Sequence, residues 1–342
     1  MLRRRLLAAV LPCLWLAAPA CAQSNAPQQP IVEFGTSQAI IPAGATDVGF
    51  EAVVEGLAER QGDMALFLYP VQDLEFGEGI AVHRSAAPLP GQLGRWRWSL
   101  RRTGASPTAI CMLSDNSGRD ARAAAVRLAQ GDLFTLRSGL LTLRMVRTTT
   151  GLAGWLLTGT PGSERLISVI APLAMADASA DGAPFHQTPM RATGAATTGP
   201  LECRAPVSLG DAFAGQVTVT SVPQLHQIRV SVALQTIRPS VVRQLSLIRL
   251  MNEDKTAFES VGLSVSRTLA GAAGTAGSLQ MTIQANEAPA GGVVDVFRES
   301  ERSVLPWAEL RWAPLSSQPM PSGMRVQWSV TLQWLPADVP VP

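Results

Sequence analysis

The last part of the chain alternates apolar and polar residues without a break, and this pattern limits the fold more than any other feature. Over residues 324–334 every second side chain is apolar, with Arg325, Gln327 and Ser329 among those between them. Successive side chains of a β-strand point to opposite faces, so a period of two predicts one long strand with a buried face. The same alternation at 95–101 and 228–235 predicts two further strands.

Shorter apolar segments predict the rest of a β-rich fold, and helical periodicity is nearly absent. Turn-forming residues separate these segments, for example at Pro161 and Gly162. Short strands separated by turn-forming residues are typical of β-sandwiches. We therefore predict an all-β fold with two antiparallel Ig-like or pilin-like β-sandwich domains. Residues 119–130 are alanine-rich and fit either a short helix or a strand. The further strands are predicted at 49–54, 64–68, 140–146, 166–170, 216–220, 245–250, 262–266, 279–284, 293–297 and 309–312.

The first 22 residues have the composition of a bacterial export signal. Three arginines at 3–5 precede an apolar segment of about 13 residues, and Ala-Cys-Ala at 20–22 matches a signal-peptidase site. A membrane-spanning helix needs about 20 apolar residues. We therefore expect cleavage before Gln23 and a mature chain with no transmembrane span in the periplasm, at the outer membrane or on the cell surface. Lipidation of Cys21 is a less favoured alternative.

Cleavage would leave 25 basic and 26 acidic side chains, so the mature chain would be nearly neutral. A chain without clustered Lys and Arg lacks the electrostatic footprint of a nucleic-acid-binding protein. The only lysine, Lys255, matches no P-loop, Ser-x-x-Lys or Schiff-base context. The three histidines, His83, His186 and His226, are isolated. We predict a protein that is not an enzyme, with no catalytic residues, cofactor, metal site or nucleic-acid partner.

Chain length and local composition suggest how the chain is divided. The 320 residues that follow the signal exceed what one hydrophobic core usually organises. Residues 175–200 are rich in Ala, Gly, Thr and Pro and have little to bury, as linkers do. We predict an N-terminal sandwich at 23–174, a linker or long loop at 175–200, and a C-terminal sandwich at 201–342.

The mature chain keeps two cysteines, Cys111 and Cys203. In an exported protein such a pair most often forms one disulfide. Closing a loop of this length, about 90 residues, would stabilise the fold by roughly 4–5 kcal/mol. We predict this disulfide, and two buried free thiols are the alternative.

The segment RWRWSLRR at 95–102 is the candidate ligand-binding site. On a strand its tryptophans point one way, and Arg95, Arg97 and Arg101 point the other. Guanidinium groups bind carboxylate and sulfate in bidentate geometry, so this strip would suit an acidic ligand such as a sialylated or sulfated host glycan. The alternative is a strand with a buried aromatic face and a solvated basic face.

Two acidic segments are weaker candidates. Asp73, Glu75 and Glu78 could supply paired carboxylates for glycoside chemistry, but a solvated loop is the favoured interpretation. Asp177 begins a segment that resembles a calcium loop, although its twelfth position is Thr188 instead of a bidentate glutamate. We interpret this segment as part of the linker.

The export signal, a length near 340 residues, two successive sandwiches and the alternating closing strand together resemble one family. The chain is similar in these respects to the CblD/CfaE-like minor pilins and tip adhesins of alternative chaperone-usher pili. The isolated Cys111 and Cys203 and the glycine-led strand at 323–334 add to the resemblance. It implies an adhesin domain followed by a pilin domain that accepts a strand from the next subunit, with a chaperone, an usher and other pilin subunits as partners. The alternative is a periplasmic or outer-membrane-associated scaffold or chaperone-like accessory protein of an envelope assembly.

Overall fold

The computed structural model describes residues 31–55, 65–76, 82–84, 93–104, 109–115, 120–180, 184–271 and 276–337. Over these residues the chain forms 25 β-strands and two short 3₁₀ turns, and no α-helix is found among them. The all-β prediction is confirmed, and each predicted strand overlaps an observed one. The alanine-rich segment forms a strand at Ala121–Ala125. The export signal at 1–22 and Cys21 lie outside the described residues.

The N-terminal part of the chain forms two four-stranded sheets that enclose one core. Its strands are β1 (Ile31–Thr36), β2 (Asp47–Glu55), β3 (Ala65–Gln72), β4 (Leu74–Phe76), β5 (Val82–Arg84), β6 (Leu93–Arg102), β7 (Ile110–Asp115) and β8 (Ala121–Ala125). Sheet 1 has the order β1-β2-β6-β4, and sheet 2 has the order β5-β3-β7-β8. Phe50, Trp96 and Leu100 of sheet 1 share a buried cluster with Leu66 and Leu113 of sheet 2.

The larger part of the chain forms a second pair of antiparallel sheets. Its strands are β9 (Ala129–Ser138), β10 (Leu141–Thr148), β11 (Gly151–Thr158), β12 (Arg165–Ile170), β13 (Met175–Ala180), β14 (His186–Ala192), β15 (Thr197–Thr198), β16 (Glu202–Leu209), β17 (Phe213–Val222), β18 (Gln227–Thr236), β19 (Ser240–Met251), β20 (Glu259–Val261), β21 (Ser264–Leu269), β22 (Gly277–Thr282), β23 (Gly292–Glu299), β24 (Trp307–Pro314) and β25 (Arg325–Pro336).

In sheet 3 the strands follow the order β9-β10-β11-β12-β19-β24-β23, and β13 lies beside the first half of β19. In sheet 4 they follow the order β16-β17-β18-β25-β22-β21-β20. Strand β14 pairs with β13 of sheet 3 and with β16 of sheet 4, so it joins the two sheets.

The closing strand β25 has the buried face that its alternation predicts. Val326, Trp328, Val330, Leu332 and Trp334 are all buried in the core between sheets 3 and 4. Strand β25 is central in its sheet, since it pairs with β18 on one side and β22 on the other. The indole N–H of Trp328 donates to the Leu247 carbonyl at 3.2 Å, which satisfies a polar group that would be costly to bury alone.

The boundary between the two hydrophobic cores differs from the predicted linker at 175–200. The first core ends at Leu128, and the second begins at Leu133. Most of residues 175–200 lie in strands, and Ala176 and Met190 are buried in the second core. The small side chains of this segment fill positions between closely packed strands, a role that its composition does not distinguish from that of a linker. The two-domain arrangement stays a prediction.

A third apolar cluster joins the two sandwiches. Val53 on the outer face of sheet 1 belongs to the same cluster as Val146 and Val169 on the outer face of sheet 3. Val304 and Leu305, from the connection between β23 and β24, also belong to it. Sheet 1 therefore packs on sheet 3, and the polar residues around this contact lie in a partly enclosed environment.

Candidate functional site

Strand β6 contains the candidate arginine strip, and its alternation agrees with the prediction. Trp96 and Leu100 are buried in the first core, while Arg95, Arg97 and Arg101 are exposed. In the antiparallel register Arg97 lies opposite Glu51 of β2. This side of sheet 1 is the one that faces sheet 3, so part of the strip lies at the contact between the sandwiches.

Arg95 and Arg97 converge on the buried carboxylate of Glu51. Glu51 Oε1 accepts from Arg95 at 2.8 Å, and Oε2 accepts from Arg97 at 3.1 Å and lies 3.1 Å from Lys255 Nζ. Burial alone would raise the pKa of Glu51, but the Arg95 hydrogen bond and the charges of Lys255 and Arg97 outweigh it and lower this pKa below 4.5. We call Glu51, Arg95, Arg97 and Lys255 the charged junction.

The charged junction ties sheet 1 to two connections of the second sandwich. Arg95 donates to the carbonyl of Ser303 at 2.9 Å, and Lys255 Nζ donates to the carbonyl of Val304. Lys255 adopts a positive φ of 66°, in a turn where Asn252 Nδ2 donates to the Thr256 carbonyl at 2.6 Å. The two cations are therefore used to hold the sandwiches together.

Arg101 lies outside the charged junction. In the register it faces Asp47 of β2 and Glu75 of β4. The structure therefore brings together two members of the predicted strip around an internal acid and leaves the third apart. Arg97 still exposes 68% of its side chain. Binding of an acidic ligand by Arg95, Arg97 and Arg101 stays a prediction.

The predicted Cys111–Cys203 disulfide is wrong, since both residues are free thiols in the structure. Each occupies an inward-facing position of its strand, but Cys111 is buried in the first core and Cys203 in the second. Burial raises the pKa of Cys111 to about 12 and also raises that of Cys203. Neither thiol therefore resembles a reactive nucleophile.

Among the described residues, the weaker sequence candidates do not assemble into a site. Asp73 occupies the turn between β3 and β4, Glu75 is exposed, and Glu78 lies outside the described residues. Asp177 is part of β13, opposite Gln187 of β14. No group of three or more His, Cys, Asp or Glu side chains that could hold a metal occurs among the residues that the structure describes.

The three histidines also stay apart from one another. His226 Nδ1 accepts from the Leu140 N–H at 3.1 Å, and this bond ties the β17–β18 connection to the turn after β9. His186 is exposed on β14, and the backbone of His83 lies in β5. His186 therefore has a surface position and His226 a structural one.

The edge of sheet 3 formed by β23 has features of a binding site for an extended chain. Strand β24 is the partner of β23 among the described strands. The Leu315 N–H donates to the Gly291 carbonyl, and Pro314, which has no N–H, lies opposite Gly292. The odd-numbered residues of β23 therefore bond to β24, while the N–H and C=O groups of Val294, Val296 and Arg298 point away from it.

The side chains of this edge leave apolar surface uncovered. Val294 and Val296 pack against the second core yet stay partly exposed, because no strand lies beside them on the outer side in the described part of the sheet. On the outer face Val293 is 55% and Phe297 is 40% exposed. The Arg311 guanidinium lies 4.1 Å from the centroid of the Phe297 ring. An added strand would gain backbone hydrogen bonds and would cover the two inner valines.

Other sheet edges in the described structure are short or held by further contacts. Strands β4, β5 and β20 have three residues each, and β15 has two. The long edge strand β9 is tied to sheet 4, because the Ser221 hydroxyl donates to the Arg137 carbonyl at 2.9 Å. In β23 the Arg298 side chain donates to the Phe258 carbonyl, but only near the end of the strand. The eight residues of β23 therefore form a long and accessible edge among the described strands.

The sequence predicts a strand at 293–297 but does not show that it is an edge. The pattern of its residues resembles that of a strand with a neighbour on each side. Which strands lie beside it depends on the topology of the whole sheet. The one local signal is that the outward positions contain Val293 and Phe297 where solvated faces usually have polar residues.

Sequence comparison assigns no family to this chain. No protein-family model matches it, and no curated protein matches its sequence significantly. Within the described residues no helix has the length and apolar character needed to cross a membrane.

Proposed function

We propose that this chain is an exported, non-enzymatic assembly protein of the bacterial envelope that joins a partner by β-strand addition along β23. A minor pilus subunit or adhesin is the leading class, with a chaperone, an usher or another pilin subunit as the partner. The single observation that carries the proposal is the eight-residue outer edge of β23, with partly exposed valines beneath it.

The chemistry of strand addition fits this edge. Unpaired backbone groups supply hydrogen bonds to an extended segment, and alternate side chains of that segment bury apolar surface. Soluble proteins usually blunt such edges with lysine, proline, bulges or short strands. None of the first three devices occurs within Gly292–Glu299, although Asp295, Arg298 and Glu299 supply charge. The Asp295 carboxylate accepts from the Val296 N–H at 2.7 Å, a local bond that a carbonyl of an incoming strand would replace.

One observation favours the second candidate, an envelope scaffold or chaperone-like accessory protein. Host adhesion through the arginine strip requires free guanidinium groups, and Arg95 and Arg97 already bind Glu51. A scaffold needs only the exposed edge. Loss of glycan-array binding in an R95A/R97A variant that still folds would favour adhesion, and a blank array for the natural chain would favour the scaffold.

Site-specific photo-cross-linking in the periplasm of the natural host tests strand addition. A benzophenone amino acid replaces Phe297 at the edge, and a matched control replaces Leu225, which is 51% exposed in the 3₁₀ turn Pro223–Leu225. We expect one discrete cross-linked protein from position 297 and none from position 225. Equal cross-linking at the two positions would contradict the proposal.

A proline variant separates edge pairing from general surface contact. Val296→Pro removes an outward N–H that β24 does not use, while Val296→Ala also loses the valine packing but keeps the N–H. We expect the cross-link to be lost in V296P and retained in V296A. Retention in both variants would mean that β23 does not receive a strand.

A further inference from the structure

A cavity of about 580 Å³ lies where residues 38–43 pass over the outer face of sheet 3. This volume falls within the range of small-molecule sites. One wall comes from the first strands of sheet 3, with Trp155 and Leu157 of β11 and Leu166 of β12. The opposite wall includes Ile40, and the cavity therefore lies at the contact between the two sandwiches.

Irregular backbone keeps one side of this cavity open. The pairing of β9 with β10 shifts register at two places, within residues 129–134 of β9. Gly131 has a φ of 147°, a conformation that favours glycine, and a Cβ atom built there would meet nothing within 4 Å. Ala129, Gly131 and Asp132 all line the cavity. Bulges of this kind often occur next to functional sites, because they change the direction of the side chains.

The polar groups of the cavity include one basic and two acidic side chains. Arg144 donates to both carboxylate oxygens of Asp132, at 3.0 and 2.9 Å, and its guanidinium lies 5.3 Å from the centroid of the Trp155 ring. Burial raises the pKa of Glu253, although its Oε1 accepts from the Ala39 N–H at 2.8 Å. Gln38 adds a neutral amide. The cavity thus offers hydrogen-bond donors and acceptors without a strong net charge.

We propose that this cavity binds a neutral saccharide unit. A pyranose ring has an apolar C–H face that packs on indole and aliphatic surface, here Trp155 and Leu157, and a rim of hydroxyl groups that pair with amide, carboxylate and guanidinium groups. An acyl chain would place hydrocarbon against the half-exposed Asp132–Arg144 ion pair and against Glu253 and would displace the water that solvates them, which is costly. An acidic ligand would meet the Asp132 and Glu253 carboxyl groups.

This site is independent of the proposed strand addition. It lies at the β9–β11 end of sheet 3, whereas β23 is at the opposite end of the strand order. One molecule could therefore hold an envelope partner at one end of the sheet and a saccharide at the other. Failure of either test leaves the other unaffected.

The test uses the full exported chain and a panel of glucose, galactose, mannose, N-acetylglucosamine and their β-linked disaccharides. Saturation-transfer NMR detects binding, and calorimetric titration measures affinity. Ala43→Trp fills the cavity from an exposed rim position and keeps the backbone carbonyl that accepts from Arg102. We expect at least one panel member to bind and A43W to weaken its affinity by about tenfold or more.

Two tryptophan variants make the test specific for the cavity. Trp155→Phe shortens the apolar wall and should weaken binding about fivefold. Trp307→Phe is the matched control, since Trp307 also lies on sheet 3 beneath an arginine, 4.9 Å from Arg249, but does not line the cavity. No binding by any panel sugar, affinity unchanged in A43W, or equal losses in W155F and W307F would each overturn the proposal.

Discussion

Replacing Glu51 with glutamine removes the one negative charge of the charged junction and leaves its three cations in place. The Glu51 side chain is 0% exposed, while Arg95 and Lys255 are 31% and 27% exposed. Glutamine keeps the size of the side chain, and one amide oxygen can still accept a hydrogen bond. The change therefore tests the charge and not the packing.

The expected loss of stability follows from these exposures. A hydrogen bond to a charged group contributes about 1.5–3 kcal/mol, and breaking a fully buried ion pair costs about 3–5 kcal/mol. Arg97 is 68% exposed and adds less than about 1 kcal/mol. With Arg95 and Lys255 partly solvated and one acceptor retained, we expect Glu51→Gln to lower the free energy of unfolding by about 3 kcal/mol.

Urea unfolding followed by tryptophan fluorescence measures this loss. Glu75→Gln is the matched control, because Glu75 is exposed on sheet 1, and its substitution should change stability by less than about 0.5 kcal/mol. The folded pKa of Glu51 lies below 4.5, so its contribution is present above that pH and is lost as pH falls through the folded pKa. A loss below about 0.5 kcal/mol in E51Q, or a loss that acid does not reduce, would mean that the Glu51 charge does not stabilise the fold.

Two further predictions concern buried titratable groups. Because Cys111 and Cys203 are buried and their pKa values are raised, Ellman's reagent should react slowly with both thiols in the native chain. After unfolding in urea, both thiols should react readily. Absence of free Cys111 and Cys203 thiols in urea would contradict the structure. Burial raises the pKa of Glu33 above 4.5 even though the Val304 N–H donates to its carboxylate. Folding stability should therefore fall as pH rises from 4.5 through the folded pKa, and Glu33→Gln should remove this fall. Equal profiles of melting temperature against pH for the two proteins would contradict this prediction.

The strands could be predicted from the sequence because the local alternation of apolar and polar residues shows which face of each strand is buried. The residues of β25 and β18 show this directly, since nearly every apolar position of the pattern is buried. The same rule places Glu51 on the solvent side of β2, opposite Phe50 and Ala52. Its burial results from the packing of sheet 1 on sheet 3, which no local pattern encodes.

Long-range topology also explains the two corrections. Cys111 and Cys203 each occupy an inward-facing position in the alternation of a strand, but the sequence does not show which core each strand lines. Residues 175–200 have the composition of a linker, yet Ala176 and Met190 occupy tightly packed positions in the second core. The edge position of β23 depends in the same way on strand order.

Amide hydrogen exchange at β23 tests the central proposal most directly. The chain is measured alone and in the complex recovered through the position-297 cross-link, with amides resolved individually by NMR or fragmentation mass spectrometry. We predict fast exchange of the outward Val294 and Arg298 amides in the free chain and strong protection in the complex, with the amides of Asp295 and of the residue at position 297 protected in both by β24. Unchanged exchange at Val294 and Arg298, with new protection elsewhere, would contradict strand addition at this edge.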